Sequence, residues 1–318
     1  MELFLGKPIW IWLVFISVVI VLLILDLGFL NKKSQEIGVK KSLWMSAFYI
    51  SIGLLFGGWI YFELGAQSAK EYITGFVIEK TLAMDNVFVI SLIFSYFAIP
   101  PKYQHRVLFW GILGVIVLRA IMIGLGATLV SEFSWVLYVF AVFLIITGIK
   151  MLIMGDKLPD IQNNPILKLL RKNLLITNEI HGNKFFVKLK EEKSGKIKRH
   201  ATPLLVALIM VEFVDLIFAV DSVPAIFAIT LDPYIVYTSN IFAILGLRAL
   251  YFALASVIHR FKYLKQALAL VLIFIGSKVF IADMFNLMKF PAGLSLAITF
   301  GIIGSGILYS LYKTKKEA

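Results

Sequence analysis

The chain reads as an all-α, polytopic helical membrane protein. Three observations predict this. Hydrophobic residues make up 60% of its 318 residues, and the mean hydropathy is +0.91. Apolar stretches of spanning length also recur from one end to the other. Soluble domains carry far more polar surface. About 20 apolar residues suffice for a helix to cross a hydrocarbon core of about 30 Å. The short alternating segments of a membrane β-barrel are missing from the pattern.

Taken in order, nine spans are expected, at 8–30, 43–63, 72–98, 107–130, 134–154, 202–230, 235–258, 267–288 and 291–312. The first is not a cleavable leader: its apolar run is too long, it carries Asp26, and no small-residue cleavage site follows. Spans three to five and six to eight carry matching segments. Glu79-Lys-Thr-Leu-Ala83-Met-Asp85-Asn86-Val87 matches Asp215-Leu-Ile-Phe-Ala219-Val-Asp221-Ser222-Val223. Further on, Leu118-Arg119-Ala120 matches Leu247-Arg248-Ala249, and Gly148-Ile-Lys150 matches Gly276-Ser-Lys278. A repeat of three spans forces its two copies into opposite orientations, which makes this an inverted-topology repeat. In that architecture sites lie near the midplane, where the copies meet. The expected organisation is two N-terminal helices in 1–71, repeat one in 72–154 and a basic loop in 155–201. Repeat two follows in 202–288, then a last helix and basic tail in 289–318.

The loop holds an apolar patch, Ile166 to Leu170, and alternating Phe185–Lys190. A β-hairpin around Lys193-Ser194-Gly195 is one reading. The preferred one is a solvated linker lying along the headgroups.

The formal net charge of +12 invites a nucleic-acid reading, but its distribution argues against one. Of 31 Lys and Arg, 23 fall in 31–42, 99–106, 155–201, 259–266 and 313–318, which are alternate connections. The opposite connections and the N-terminus hold only Lys7, Lys70 and Lys289. Positive charge gathers on the cytoplasmic side. The expected topology is therefore N-terminus outside, with the C-terminus and the long loop inside. With no cysteine in the chain, disulfides and thiolate metal sites are excluded.

Ionised groups inside a bilayer are costly and mark functional sites. The acids expected in spans are Asp26, Glu79, Asp85, Glu212, Asp215, Asp221 and Asp283. Asp26 reads equally as an interfacial residue or a member of the site, and Asp283 as structural or a rim residue. Glu79 and Asn86 are seven residues apart, as are Asp215 and Ser222, so each pair shares a helix face. Glu212 neighbours Asp215. Asp85 and Asp221 join that face only if the helix unwinds locally, and Pro224 supplies a reason in span six. The candidate metal ligands are thus Glu79, Asp85, Asn86, Glu212, Asp215, Asp221 and Ser222. Lys80, Arg119, Lys150, Arg248 and Lys278 are the expected charge-compensating groups. Oxygen ligands suit hard cations such as Mn²⁺, Mg²⁺ or Ca²⁺.

The motif Glu79-Lys80-x4-Asp85-Asn86, with Glu212-x2-Asp215-x5-Asp221-Ser222-Val223-Pro224-Ala225, closely resembles the TerC/Alx family of integral membrane proteins. The resemblance covers nearly the whole chain and joins it to the LysE-like transporter superfamily. It implies links to tellurite resistance, a response to alkaline pH and manganese export, with the acidic positions handling metal. Tellurite is itself an anion, so an acid-lined site fits an indirect effect better. The expectation is a non-enzymatic exporter of a divalent cation, with Mn²⁺ as the transported ion. Protons and the lipid bilayer are its other partners, with neither an organic cofactor nor a nucleic acid. The rival expectation is a membrane scaffold or biogenesis partner acting through 155–201. An intramembrane aspartyl protease lacks its Gly-x-Gly-Asp motif here.

Overall fold

A computed structural model describes residues 3–28, 38–153, 161–177, 179–190, 197–254, 263–285 and 290–317. The chain opens with a short hairpin, β1 (Leu3–Phe4) and β2 (Lys7–Pro8), turned by Leu5 and Gly6 at positive φ. Helix α1 (Ile9–Gly28) follows. A salt bridge from Lys7 to Asp232, 2.9 Å long, ties the hairpin to the start of a later helix that opens at Pro233.

Helix α2 (Val39–Tyr96) is interrupted at Gly65, at φ 89° and ψ 171°, a conformation only glycine adopts without strain. The interruption folds α2 into two antiparallel arms, 39–64 and 66–96. Gly53 faces Phe76 and Gly57 faces Tyr72, and the Tyr72 hydroxyl donates to the Gly53 carbonyl at 2.9 Å. Helices α3 (Pro101–Glu132) and α4 (Val136–Ile153) follow. The central segment contains α5 (Pro165–Asn173), capped by the Asn164 side chain, and an antiparallel hairpin of β3 (Phe186–Lys190) and β4 (Ile197–Ala201). Two paired five-residue strands, the first alternating in exposure, replace the linker preferred from sequence. Residues 191–196, which hold the expected turn at Lys193-Ser194-Gly195, lie outside the described residues.

Helix α6 (Pro203–Phe227) runs helically through Pro224. The unwinding expected there does not occur; Pro224 lies three residues before the end of α6, so few helical residues follow the bond it removes. The discontinuity lies instead in the next pair, α7 (Pro233–Leu245) and α8 (Leu247–Leu254), which meet at Gly246. Helices α9 (Leu264–Met284) and α10 (Ala292–Glu317) complete the chain.

A polytopic helical membrane protein is what these elements make. Among the described residues, six helices are long and apolar enough to cross a membrane, with Ile9–Leu25 and Pro233–Leu245 as shorter apolar ones. Their lipid-facing sides are rich in exposed Leu, Ile, Val, Phe and Trp, as expected where the solvent is hydrocarbon.

Helices α4 and α9 pack with a two-fold relation. A Cβ on Gly148 would lie 2.6 Å from the Ala269 carbonyl and 2.6 Å from Ile273; one on Gly276 would lie 2.5 Å from the Ala141 carbonyl and 2.8 Å from Ile145. Each glycine therefore meets the residues seven and three positions before the other. Only an antiparallel crossing about a local two-fold axis gives that reciprocity.

Candidate functional site

Arg119, on α3, is 1% exposed and sits at the centre of the bundle. Its guanidinium grips Asp215 of α6 as a fork, with Nε donating to Oδ2 and Nη2 to Oδ1, both at 3.1 Å. Nη1 donates to the Glu79 carboxylate from the 66–96 arm of α2, to Ser222 Oγ of α6 at 3.2 Å, and to Asn240 Oδ1 of α7 at 3.1 Å. Asn86 Nδ2 adds a bond to Asp215 Oδ1 at 3.3 Å. Four helices thus converge on one cation, and the two acids that bind it come from the matching segments of the two halves.

The set is not fully satisfied. Glu79 Oε2, Asn86 Oδ1 and Asn240 Nδ2 are buried without a hydrogen-bond partner. Glu212 lies one turn before Asp215 with its carboxyl packed onto α3. A Cβ at Gly111 would come within 3.9 Å of it, and one at Gly114 would overlap it. Its Oε2 is also buried and unpartnered. Three carboxylate or amide oxygens therefore lack donors in the same region, where an unpartnered polar group costs about 1–3 kcal/mol. Beside Asn86 and Asp215 is a cavity of about 20 Å³, walled by Ile90, Leu108, Gly111 and Val211. That is room for about one water-sized occupant.

Apolar layers close the site on both sides. One joins Val87, Ile90 and Ile93 to Leu108, Leu204, Val211 and Tyr251, with Leu167 of α5 and Phe185 packed against it. The other joins Ile123, Val223, Phe227 and Val236.

Of the residues expected from sequence, the structure brings together Glu79, Asn86, Asp215, Ser222 and Arg119, with Glu212 adjacent. It does not bring the lysines. Lys80 is buried but donates to the Ala243 carbonyl at 2.9 Å, filling the space beside Gly246. Lys278 is buried against Ser295 of α10, at 3.4 Å, within electrostatic reach of Glu71. Lys150 is exposed at the end of α4. Lys150 and Lys278 hold matching places in the sequence and Lys80 adjoins Glu79, but their helix faces point elsewhere. The side chains of Asp26, Asp85, Asp221 and Arg248 lie outside the described residues. Asp283 accepts from the Tyr138 hydroxyl, joining α9 to α4.

Two residues escape sequence reasoning. Asn240 is a single amide in an apolar stretch, and only its position opposite Arg119 distinguishes it. Buried Glu71, which accepts from Gln67 at 2.8 Å, falls one residue before the expected third span. Its signal was an acid two helical turns ahead of Glu79.

A family profile described as "Integral membrane protein TerC family" matches residues 64–318. The chain is 50% identical over 302 residues to an uncharacterized membrane protein of Rickettsia bellii, covering 95% of this chain and 97% of that one. It is 44% identical over 310 residues to the uncharacterized membrane protein STKORF319 of Myxococcus xanthus, covering 98% and 94%. It is 45% identical over 307 residues to Alx of Salmonella typhi, provisionally named a membrane-bound redox modulator, covering 94% and 92%. No solved structure matches the chain.

Proposed function

The chain belongs to the TerC family of integral membrane proteins, and we propose that it carries a divalent cation, Mn²⁺ above all, out across a bacterial inner membrane. The observation that carries this reading is the sealed cluster of Glu79, Asp215 and Arg119, with unpartnered oxygens on Glu79, Asn86 and Glu212 around it. Buried oxygens without donors beside two carboxylates are groups that a bound cation would satisfy.

Arg119 stands where the metal goes. Two carboxylates balance one divalent ion, or they balance Arg119 and one proton. On this reading Arg119 swings toward Glu212 when metal arrives, and the site returns to the arginine-bound state as metal leaves and a proton enters. Oxygen-only donors favour a hard ion. The reciprocal packing of Gly148 and Gly276 supports an inverted repeat of three crossings in a nine-crossing chain. The two halves then rock about the cluster and expose it to each side in turn. The redox name of a relative fits the same reading. This chain has no cysteine, so a redox effect works through cellular metal content and not through a thiol of its own.

The test is Mn²⁺ flux into proteoliposomes holding an internal pH dye. Wild type moves Mn²⁺ with opposing proton flux. Glu79→Gln, Asp215→Asn, Asp85→Asn and Asp221→Asn each abolish it while eluting as folded protein on size exclusion. Unimpaired flux in Glu79→Gln and Asp215→Asn would falsify the site.

A further inference from the structure

We propose that the outward face of the β3–β4 hairpin binds anionic phospholipid headgroups of the leaflet that α6 enters. The hairpin is held where that helix begins. β4 ends at Ala201, Thr202 follows, and Pro203 opens α6. Thr202 Oγ1 donates to the Lys184 carbonyl at 2.8 Å. The Arg106 guanidinium of α3 lies 5.0 Å from the centre of the Phe185 ring. Strands of five residues reach about 17 Å, so the whole hairpin stays close to the membrane entry of α6.

Its two faces differ. On one face Val187, Leu189 and His200 are half-buried and Lys198 is exposed; on the other Phe186, Lys188, Lys190, Ile197 and Arg199 are exposed, with Ala201 buried at its base. Lys188 stands directly opposite Arg199, and Lys190 opposite Ile197. Like charges placed opposite each other on one face destabilise a hairpin; an anion lying against them removes the conflict. Among residues 181–190 and 197–201 there is no acid to do so; Glu191 and Glu192 lie outside the described residues. The Arg199 guanidinium stacks 3.7 Å from the centre of the Phe186 ring, which presents cation and aromatic together. Alongside runs an open groove of about 630 Å³ lined by His181, Lys184, Phe186 and Lys188. Exposed Phe186 and Ile197 amid basic side chains suit a surface that meets phosphates and the edge of the acyl layer at once. Basic clusters next to a membrane helix draw anionic lipid in this way. A soluble anion has no use for the apolar pair.

The proposal is independent of metal transport. Because the chain lacks cysteine, Ile197→Cys can carry a single neutral, environment-sensitive fluorophore on the full-length protein in nanodiscs. Replacing phosphatidylcholine partly by phosphatidylglycerol is expected to shift the emission to the blue. Raised salt reverses that shift, and adding Lys188→Glu, Lys190→Glu and Arg199→Glu abolishes it. A probe equally exposed to water in both lipids overturns the proposal. So does a blue shift in phosphatidylcholine discs on adding inorganic phosphate, which assigns the face to a free anion, or on adding a short RNA, which assigns it to nucleic acid. The salt reversal on the parent protein is decisive even if the triple variant folds poorly.

Discussion

At the scale of the residue, Arg119 holds together polar groups from four helices, two of them carboxylates that α2 and α6 bring into the bilayer. Removing one partner of a buried pair costs about 3–5 kcal/mol, because the other charge is left uncompensated. Arg119→Gln is therefore expected to lower thermal stability sharply, read as intrinsic tryptophan fluorescence during heating in detergent. Adding Asp215→Asn to it restores part of the loss. If the cluster is a cation site, Mn²⁺ raises the unfolding temperature of Arg119→Gln more than that of wild type, since the ion then meets the carboxylates without competition from the guanidinium. Equal shifts in both proteins remove the competition between Arg119 and metal from the mechanism. Sequence made the charged members of the site legible, because acids and an arginine in apolar stretches announce themselves. It did not reveal Asn240, since a neutral amide in an apolar stretch stands out less than a charge and repeats nothing. Nor did it separate Lys278 from Lys150: matched spacing says that two residues are equivalent in the chain, not that both face the same partner.

At the scale of the element, backbone approach decides the packing between α4 and α9. Gly148 and Gly276 each leave room for a carbonyl of the opposing helix where any side chain would intrude. In membranes, where helices gain little from the hydrophobic effect, such close contact is a main source of association. Gly148→Ala and Gly276→Ala are each expected to lower the unfolding temperature, at a cost of about 1–3 kcal/mol for overpacking. The reciprocal geometry further requires the two losses to be similar. A loss confined to one variant would mean that the two-fold relation is a coincidence of contacts. The same scale explains what sequence missed among the elements. The central hairpin has short strands rich in lysine, so its alternation reads as a solvated stretch until Thr202 and Phe185 dock it. Pro224 advertises a break in α6 that the end of the helix absorbs, whereas Gly246 places the real one at the α7–α8 junction.

At the scale of the whole molecule, the decisive quantity is the number of crossings between the Gly65 turn and the central hairpin. The 66–96 arm, α3 and α4 lie between them. Three crossings put the two on opposite sides of the membrane and turn the second repeat over relative to the first; two or four leave them on the same side with the repeats parallel. The charge distribution independently predicts the basic hairpin inside and the Gly65 turn outside. Ala66→Cys and Lys190→Cys, each introduced into a chain without thiols of its own, separate these cases. A membrane-impermeant maleimide is expected to label Ala66→Cys in intact spheroplasts and Lys190→Cys only after the membrane is opened. The reverse pattern would keep the odd count but invert the protein, so that a carrier of the proposed kind loads from the opposite face. Labelling of both from one side would break the inverted repeat itself. Without it the convergence of Glu79 and Asp215 on Arg119 could still neutralise buried charge, but it could not be the pivot of two halves that open in turn.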